Sequence, residues 1–324
     1  CATGNPATSA PVTMTVNPNL PVSVGVTASA NPVCAGTSVT FTATPVNGGS
    51  TPSFQWKVNG VNAGTNSSTY TYTPVNGNIV TCVLTSNETC ATGNPATSAP
   101  VTMTVNPVMP VSVSVAASAN PVCSGSLVSF TATPVNGGST PVYQWKVNGT
   151  DVGTNSNSYS YMPTQGDIIT CVLTSSITCT SGNPATSNAV TMTVNTSVGG
   201  TLTGGNSSIC LGASTGTITL SGYTGAIIRW ERQINSSGWN NINNNGNATF
   251  AETPTSEGTW EYRVVVQNGS CTAAYSTVRS ITVTSFVNLT GFTTAAAAAC
   301  TGTATTITLS SSDLPNATYT VNYT

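Results

Sequence analysis

The chain has 324 residues, of which only 4% are charged and none is histidine, with six Lys and Arg against eight Asp and Glu. Ordinary soluble proteins carry about 25% charged residues, so general acid–base chemistry has few groups to draw on, and the scattered basic residues form no stripe that could hold a phosphate backbone. Nucleic acid is thereby excluded as a partner, and because no apolar run approaches the roughly 20 residues that cross a bilayer, no membrane span is expected.

Taken in order, the chain repeats itself. The opening CATGNPATSAPVTMTVNP recurs unchanged at 90–107, so residues 1–16 read as the last strand of a preceding repeat, with Val12, Met14 and Val16 alternating against threonines. An immunoglobulin-like repeat follows at 17–105 and a near copy at 106–194: Cys123 stands 89 residues after Cys34, and Cys179 stands 89 after Cys90. A divergent copy occupies 195–285, and residues 286–324 resemble the first half of a further one. Self-similarity at a fixed long period marks a tandem array of one folded module, here expected to be a window of a longer polypeptide.

Within a repeat the apolar residues alternate with threonine in SVTFTAT, FQWKV, STYTYTP and IVTCVLTS, the period of two of half-buried strands. Asn-Gly pairs at Asn47, Asn59 and Asn76 mark turns that tolerate positive φ. About seven short strands, a single tryptophan on the third and flanking cysteines describe an all-β chain of immunoglobulin-like (PKD-like) β-sandwiches, with Trp56, Trp145 and Trp230 in the cores. The proline-containing junctions 17–21 and 106–110 should be stiff and the array extended.

Ten cysteines in such a composition indicate an oxidising compartment outside the cytoplasm. Gly77 and Gly258 stand 13 residues before Cys90 and Cys271, so those two cysteines correspond, whereas Cys82 has no counterpart in the third copy. The pair common to all copies is the outer one, which predicts bridges Cys34 with Cys90, Cys123 with Cys179 and Cys210 with Cys271, each closed within its own repeat. Cys82 and Cys171 alternate in phase with apolar neighbours and are expected as buried free thiols. The rival is a Cys34–Cys82 bridge across the sandwich.

Asp151, Asp167 and Asp313 are isolated, without the clustered carboxylates of a calcium loop, and zinc would have to compete for cysteines assigned to bridges. No cofactor, metal or catalytic group is expected. Trp239, in the loop SSGWNNI, is a candidate contact for a surface glycan, against the plainer reading of an aromatic covering the end of the sandwich.

The run NPVCAGTSVTFTATPVNGG, then QWKVNG, then YTPVNGNIVTCVLTSNETC, then NPATSAPVTMTV resembles the PKD-like and immunoglobulin-like repeats of giant surface proteins of Bacteroidota. TITLSSSDLPNATYTVNYT is similar to repeats of SprB-type gliding-motility adhesins. That resemblance implies export by the type 9 secretion system and display at the cell surface. The expected function is therefore a structural segment of a long extracellular adhesin or surface filament, serving attachment or gliding motility. The alternative is a carbohydrate-binding accessory array of a secreted polysaccharide-degrading enzyme. Expected partners are the neighbouring repeats, further copies of the chain through self-association into filaments, and surface glycans.

Overall fold

The computed structural model describes residues 6–242 and 246–285, together with the backbone of two paired strands, Thr293–Ala296 and Ile307–Ser310. The further repeat expected at 286–324, including Cys300, otherwise lies outside the described residues, as does Cys1. The described residues are all-β and form tandem sandwiches. The chain divides into two compact units, Cys1–Ala116 with Thr131–Asn157 and Thr170–Ala189, and Ala117–Phe130 with Ser158–Ile169 and Val190–Thr324, so that the division passes through the second repeat.

In the first unit, the first repeat places a three-stranded sheet (Ser23–Ala28, Val39–Val46, Thr69–Tyr72) over a five-stranded one. The latter runs Ala96–Thr97, Ile79–Thr85, Ser53–Val58, Val61–Ala63, with Val101–Thr102 also paired to Ile79–Thr85. Alternation decides what lies between the sheets: Val39, Phe41, Trp56, Val80, Cys82 and Leu84 are fully buried while the intervening threonines face outward. Asn59 and Gly60 both take positive φ, 52° being the value at the equivalent Asn148, and this turn joins Ser53–Val58 to Val61–Ala63 in a tight hairpin. The second repeat's larger sheet runs in the order Thr150–Val152, Val142–Val147, Ile168–Thr174, Ala185–Thr186.

In the second unit, the third repeat packs Thr201–Gly204, Ile218–Ser221 and Thr249–Phe250 against a larger sheet ordered Ser208–Cys210, Arg279–Thr284, Gly258–Gln267, Ala226–Ile234, Asn240–Ile242. Its core includes Ile218, Trp230, Trp260, Tyr262, Val264, Val266 and Ile281.

Two features of the repeats depend on what lies beside them. Residues 12–16 carry no strand, and Met14 is 79% exposed. The identical sequence at 101–105 pairs with its sheet and buries Met103 to 1%. Amphipathic alternation makes a strand only where a neighbouring strand accepts it. The proline-containing junctions are also more than spacers. Leu20–Pro21 pairs in parallel with Ala91–Thr92, and Met109–Pro110 with Thr180–Ser181, so each linker is docked on the repeat it enters.

Candidate functional site: the disulfide-bonded junctions and an aromatic face

The structure bonds Cys34 to Cys179 and Cys123 to Cys271, with Cα–Cα distances of 5.4 and 5.3 Å. Cys82, Cys90, Cys171 and Cys210 are unbonded. This overturns the expected pairs Cys34–Cys90, Cys123–Cys179 and Cys210–Cys271, and the rival Cys34–Cys82 as well. Every observed bond joins one repeat to the next.

The reason lies in which end of the sandwich each cysteine occupies. Val33–Cys34 pairs in parallel with Val105–Asn106, which sets Cys34 where the chain leaves the repeat. The carbonyl of Cys90 instead accepts from the amide of Leu20, where the chain enters. Between those points runs the strand Ser23–Ala28, about 20 Å long at 3.3 Å per residue, whereas a disulfide needs a Cα separation near 5.5 Å. Cys34 is therefore out of reach of Cys90.

Across the linker the geometry is favourable. Asn106 lies opposite Cys34, and three residues later the amide of Met109 donates to the carbonyl of Cys179 at 2.9 Å. The bond thus spans the same gap as residues 107–108. At the second junction Cys123 lies opposite Asn195, and the Asn268 amide donates to Oγ of Ser197 at 2.9 Å, close to the partner Cys271. Both junctions are joined twice, once by peptide and once by sulfur. Disulfides of this kind form and persist in oxidising compartments.

Cys82 and Cys171 are fully buried and unbonded, and burial pushes both thiols up to about 11. Trp56, Trp145 and Trp230 are fully buried too, and each donates its indole N–H at 2.9 Å to a backbone carbonyl, those of Ser67, Ser156 and Asn247.

Trp239 is half-buried on the outer face of the third repeat's large sheet, with the Arg263 guanidinium 4.1 Å from its ring centroid. The same guanidinium lies over the ring of the exposed Tyr275, also at 4.1 Å. Arg263 Nε donates at 2.7 Å to Glu231, whose other oxygen takes Arg229. Burial pushes the Glu231 carboxyl up, but the hydrogen bonds from Arg263 and Arg229 outweigh this and hold it below the usual carboxylate range. On the core side Arg232 pairs with Glu252 and lies over Trp260. Reading Trp239 alone missed Arg263 and Tyr275. The available signal was that Arg229, Arg232, Arg263 and Arg279 are four of the six basic residues, and that Arg263 alternates with core positions in TWEYRVVV.

Among the described residues no group of three or more His, Cys, Asp or Glu could hold a metal ion. No helix among them is long and apolar enough to cross a membrane.

A family model described as a domain of unknown function (DUF8696) matches residues 198–285. No curated protein matches the chain. Solved structures similar to it include the FN1–FN3 domains of chicken CNTN1, at 11% identity and a TM-score of 0.24 over 82% of this chain and 99% of that one. The fibronectin(III)-like modules of Clostridium thermocellum CbhA match at 15% identity and a TM-score of 0.27, over 52% and 92%. The Ig1–Ig3 ectodomain of mouse nectin-like molecule 4 matches at 10% identity and a TM-score of 0.36, over 79% and 97%.

Proposed function

We propose that this chain is a structural repeat segment of a long extracellular adhesin or cell-surface filament of the SprB-like, type 9-secreted kind, serving surface attachment or gliding motility. The observation that supports this reading is the doubling of each junction by a disulfide. A second covalent path between repeats limits how far they can be pulled apart, which suits a tether under drag.

The consequence can be put as a length. Under tension the shortest covalent route from Leu20 to Val283 runs to Cys34, crosses to Cys179, returns to Cys123, crosses to Cys271 and continues. Fully extended at about 3.4 Å per residue it measures roughly 290 Å, against roughly 900 Å for the same span reduced. Folded length subtracts from both. Single-molecule pulling with and without reductant tests this. A contour gain several-fold larger after reduction is expected, and equal gains would remove the mechanical role.

A second reading, glycan binding by the third repeat, rests on the neighbouring rings of Trp239 and Tyr275 at the surface. Loss of glycan-array binding in Trp239→Ala, with the fold intact, would favour it.

A further inference from the structure

Cys90 and Cys210 are unbonded, yet each stands where an equivalent cysteine of another repeat is bonded. Cys210 lies opposite Thr284 in a parallel pair, as Cys34 lies opposite Asn106 and Cys123 opposite Asn195. The amide of the following residue donates to that opposite carbonyl in all three cases: Leu211 to Thr284 at 2.8 Å, Ala35 to Asn106 at 2.8 Å and Ser124 to Asn195 at 2.9 Å. Likewise the Cys90 carbonyl accepts from Leu20 at 2.9 Å, as the Cys179 carbonyl accepts from Met109 at 2.9 Å. The backbone already holds both residues in the bonded arrangement. Cys210 is exposed and Cys90 half-buried, so both thiols are reachable.

We propose that Cys90 and Cys210 are disulfide sites for adjoining repeats of the same fold. Cys90 takes the cysteine at the position of Cys34 in a repeat on its N-terminal side, and Cys210 takes the cysteine at the position of Cys179 in a repeat on its C-terminal side. One rule then covers every junction: the cysteine at the exit of a repeat bonds the cysteine at the entrance of the next. Each bond forms by thiol–disulfide exchange with a small disulfide such as oxidised glutathione, two protein thiols becoming one disulfide and one glutathione disulfide becoming two glutathione thiols. The inference concerns linkage alone and holds whatever the array attaches to.

The test lengthens the whole chain by one repeat. Residues 17–105 are inserted a second time between Val16 and Asn17, which leaves the junction sequence unchanged, and the inserted copy carries Cys90→Ser so that the original Cys90 is unique in a peptide map. After refolding in a glutathione buffer, Cys90 should be disulfide-linked to Cys34 of the inserted copy and should no longer react with iodoacetamide. Cys34→Ser in the inserted copy should restore the reaction. For the other site, residues 195–285 are repeated after Ser285, and Cys210 should be linked to Cys271 of the added copy. The unlengthened chain is treated in parallel. Covalent oligomers joined from Cys210 of one copy to Cys90 of another would assign the adjoining repeat to a second molecule, and bonds in the lengthened chains alone would assign it to the same polypeptide. Cys90 and Cys210 that stay as reactive in the lengthened chains as in the original, with no oligomers, would overturn the proposal.

Discussion

Trp56 faces Cys82 directly across two antiparallel strands, and in the third repeat Trp230 faces Val264 in the same place. All four side chains are fully buried. The thiol therefore fills the volume that a valine fills elsewhere, and nothing in its surroundings calls for sulfur chemistry.

Cys82→Val and Cys171→Val should accordingly fold with stability changed by less than about 1.5 kcal/mol, since the swap is apolar and the third repeat already accommodates it. Cys82→Ser should cost about 1–3 kcal/mol by burying a hydroxyl among apolar neighbours. Alkylation at pH 8 gives a second readout. With both buried thiols pushed up to about 11, they should label only after unfolding, while the exposed Cys210 labels at once. Urea titrations of the variants, and mass spectrometry of the labelled native chain, check the two halves.

The disulfide between Cys34 and Cys179 should hold the first junction together even when its peptide is cut. A protease site placed at the exposed Val108 offers the cut. The nicked chain should remain one particle by sedimentation and non-reducing electrophoresis and should separate into two on reduction. Cys34→Ser should separate without reductant, because no second covalent path remains. That variant should keep its far-ultraviolet spectrum, since the first repeat's core contains no residue of the bond. By chain entropy the loop of 145 residues that the bond closes corresponds to about 5 kcal/mol at most.

Strand alternation and turn chemistry made the sandwich legible. SVTFTAT, QWKVNG and TCVLTS state which side chains face inward, and Asn59–Gly60 states where the hairpin turns. What alternation leaves out is the end of the sandwich at which a residue sits. Cys34 and Cys90 occur together in every copy, so comparing copies makes them look like a pair, although a strand's length separates them. Only the parallel pairing of Val33–Cys34 with Val105–Asn106 reveals that Cys34 belongs to the exit. Met14 and Met103 make the same point about context: identical local sequence, opposite burial. The aromatic face was half legible. A lone loop tryptophan is visible in a sequence, but its stacking on Arg263 depends on the register that sets Glu231 opposite Arg263 across two strands.

Glu231 should make the third repeat acid-sensitive. Its carboxyl is held below the ordinary value of 4.5 in the folded chain, so the unfolded chain binds the proton more readily. The stability this contributes is fully present above the unfolded value and is lost as pH falls through the lower, folded one. Below about pH 4.5 the third repeat should weaken, and Glu231→Gln should remove that part of the pH dependence while lowering stability at pH 7. Urea midpoints measured from pH 7 down to pH 3 for both proteins provide the check; parallel curves would show that Glu231 is not the responsible group.

The stack of Trp239, Arg263 and Tyr275 allows a last prediction that separates charge from shape. Arg263 makes two kinds of contact at once, a hydrogen bond to Glu231 through Nε and contacts of its guanidinium with the rings of Trp239 and Tyr275. Lysine keeps the positive charge beside Glu231 but has no planar group to lay against the rings. Arg263→Lys should therefore keep most of the acid sensitivity assigned to Glu231 while losing about 0.5–2 kcal/mol of stability, the range for a cation held against aromatic faces. Trp239→Ala should lose a similar amount through the same stack. If Trp239 serves only to cover Arg263, the two variants combined should lose little more than either alone, because the contact they remove is shared. Losses that add fully would mean that the two side chains stabilise the repeat independently, and the stack would then have no energetic meaning. Urea titration of the two single variants and the double variant, followed by far-ultraviolet circular dichroism since Trp239 is itself removed, decides between the two outcomes.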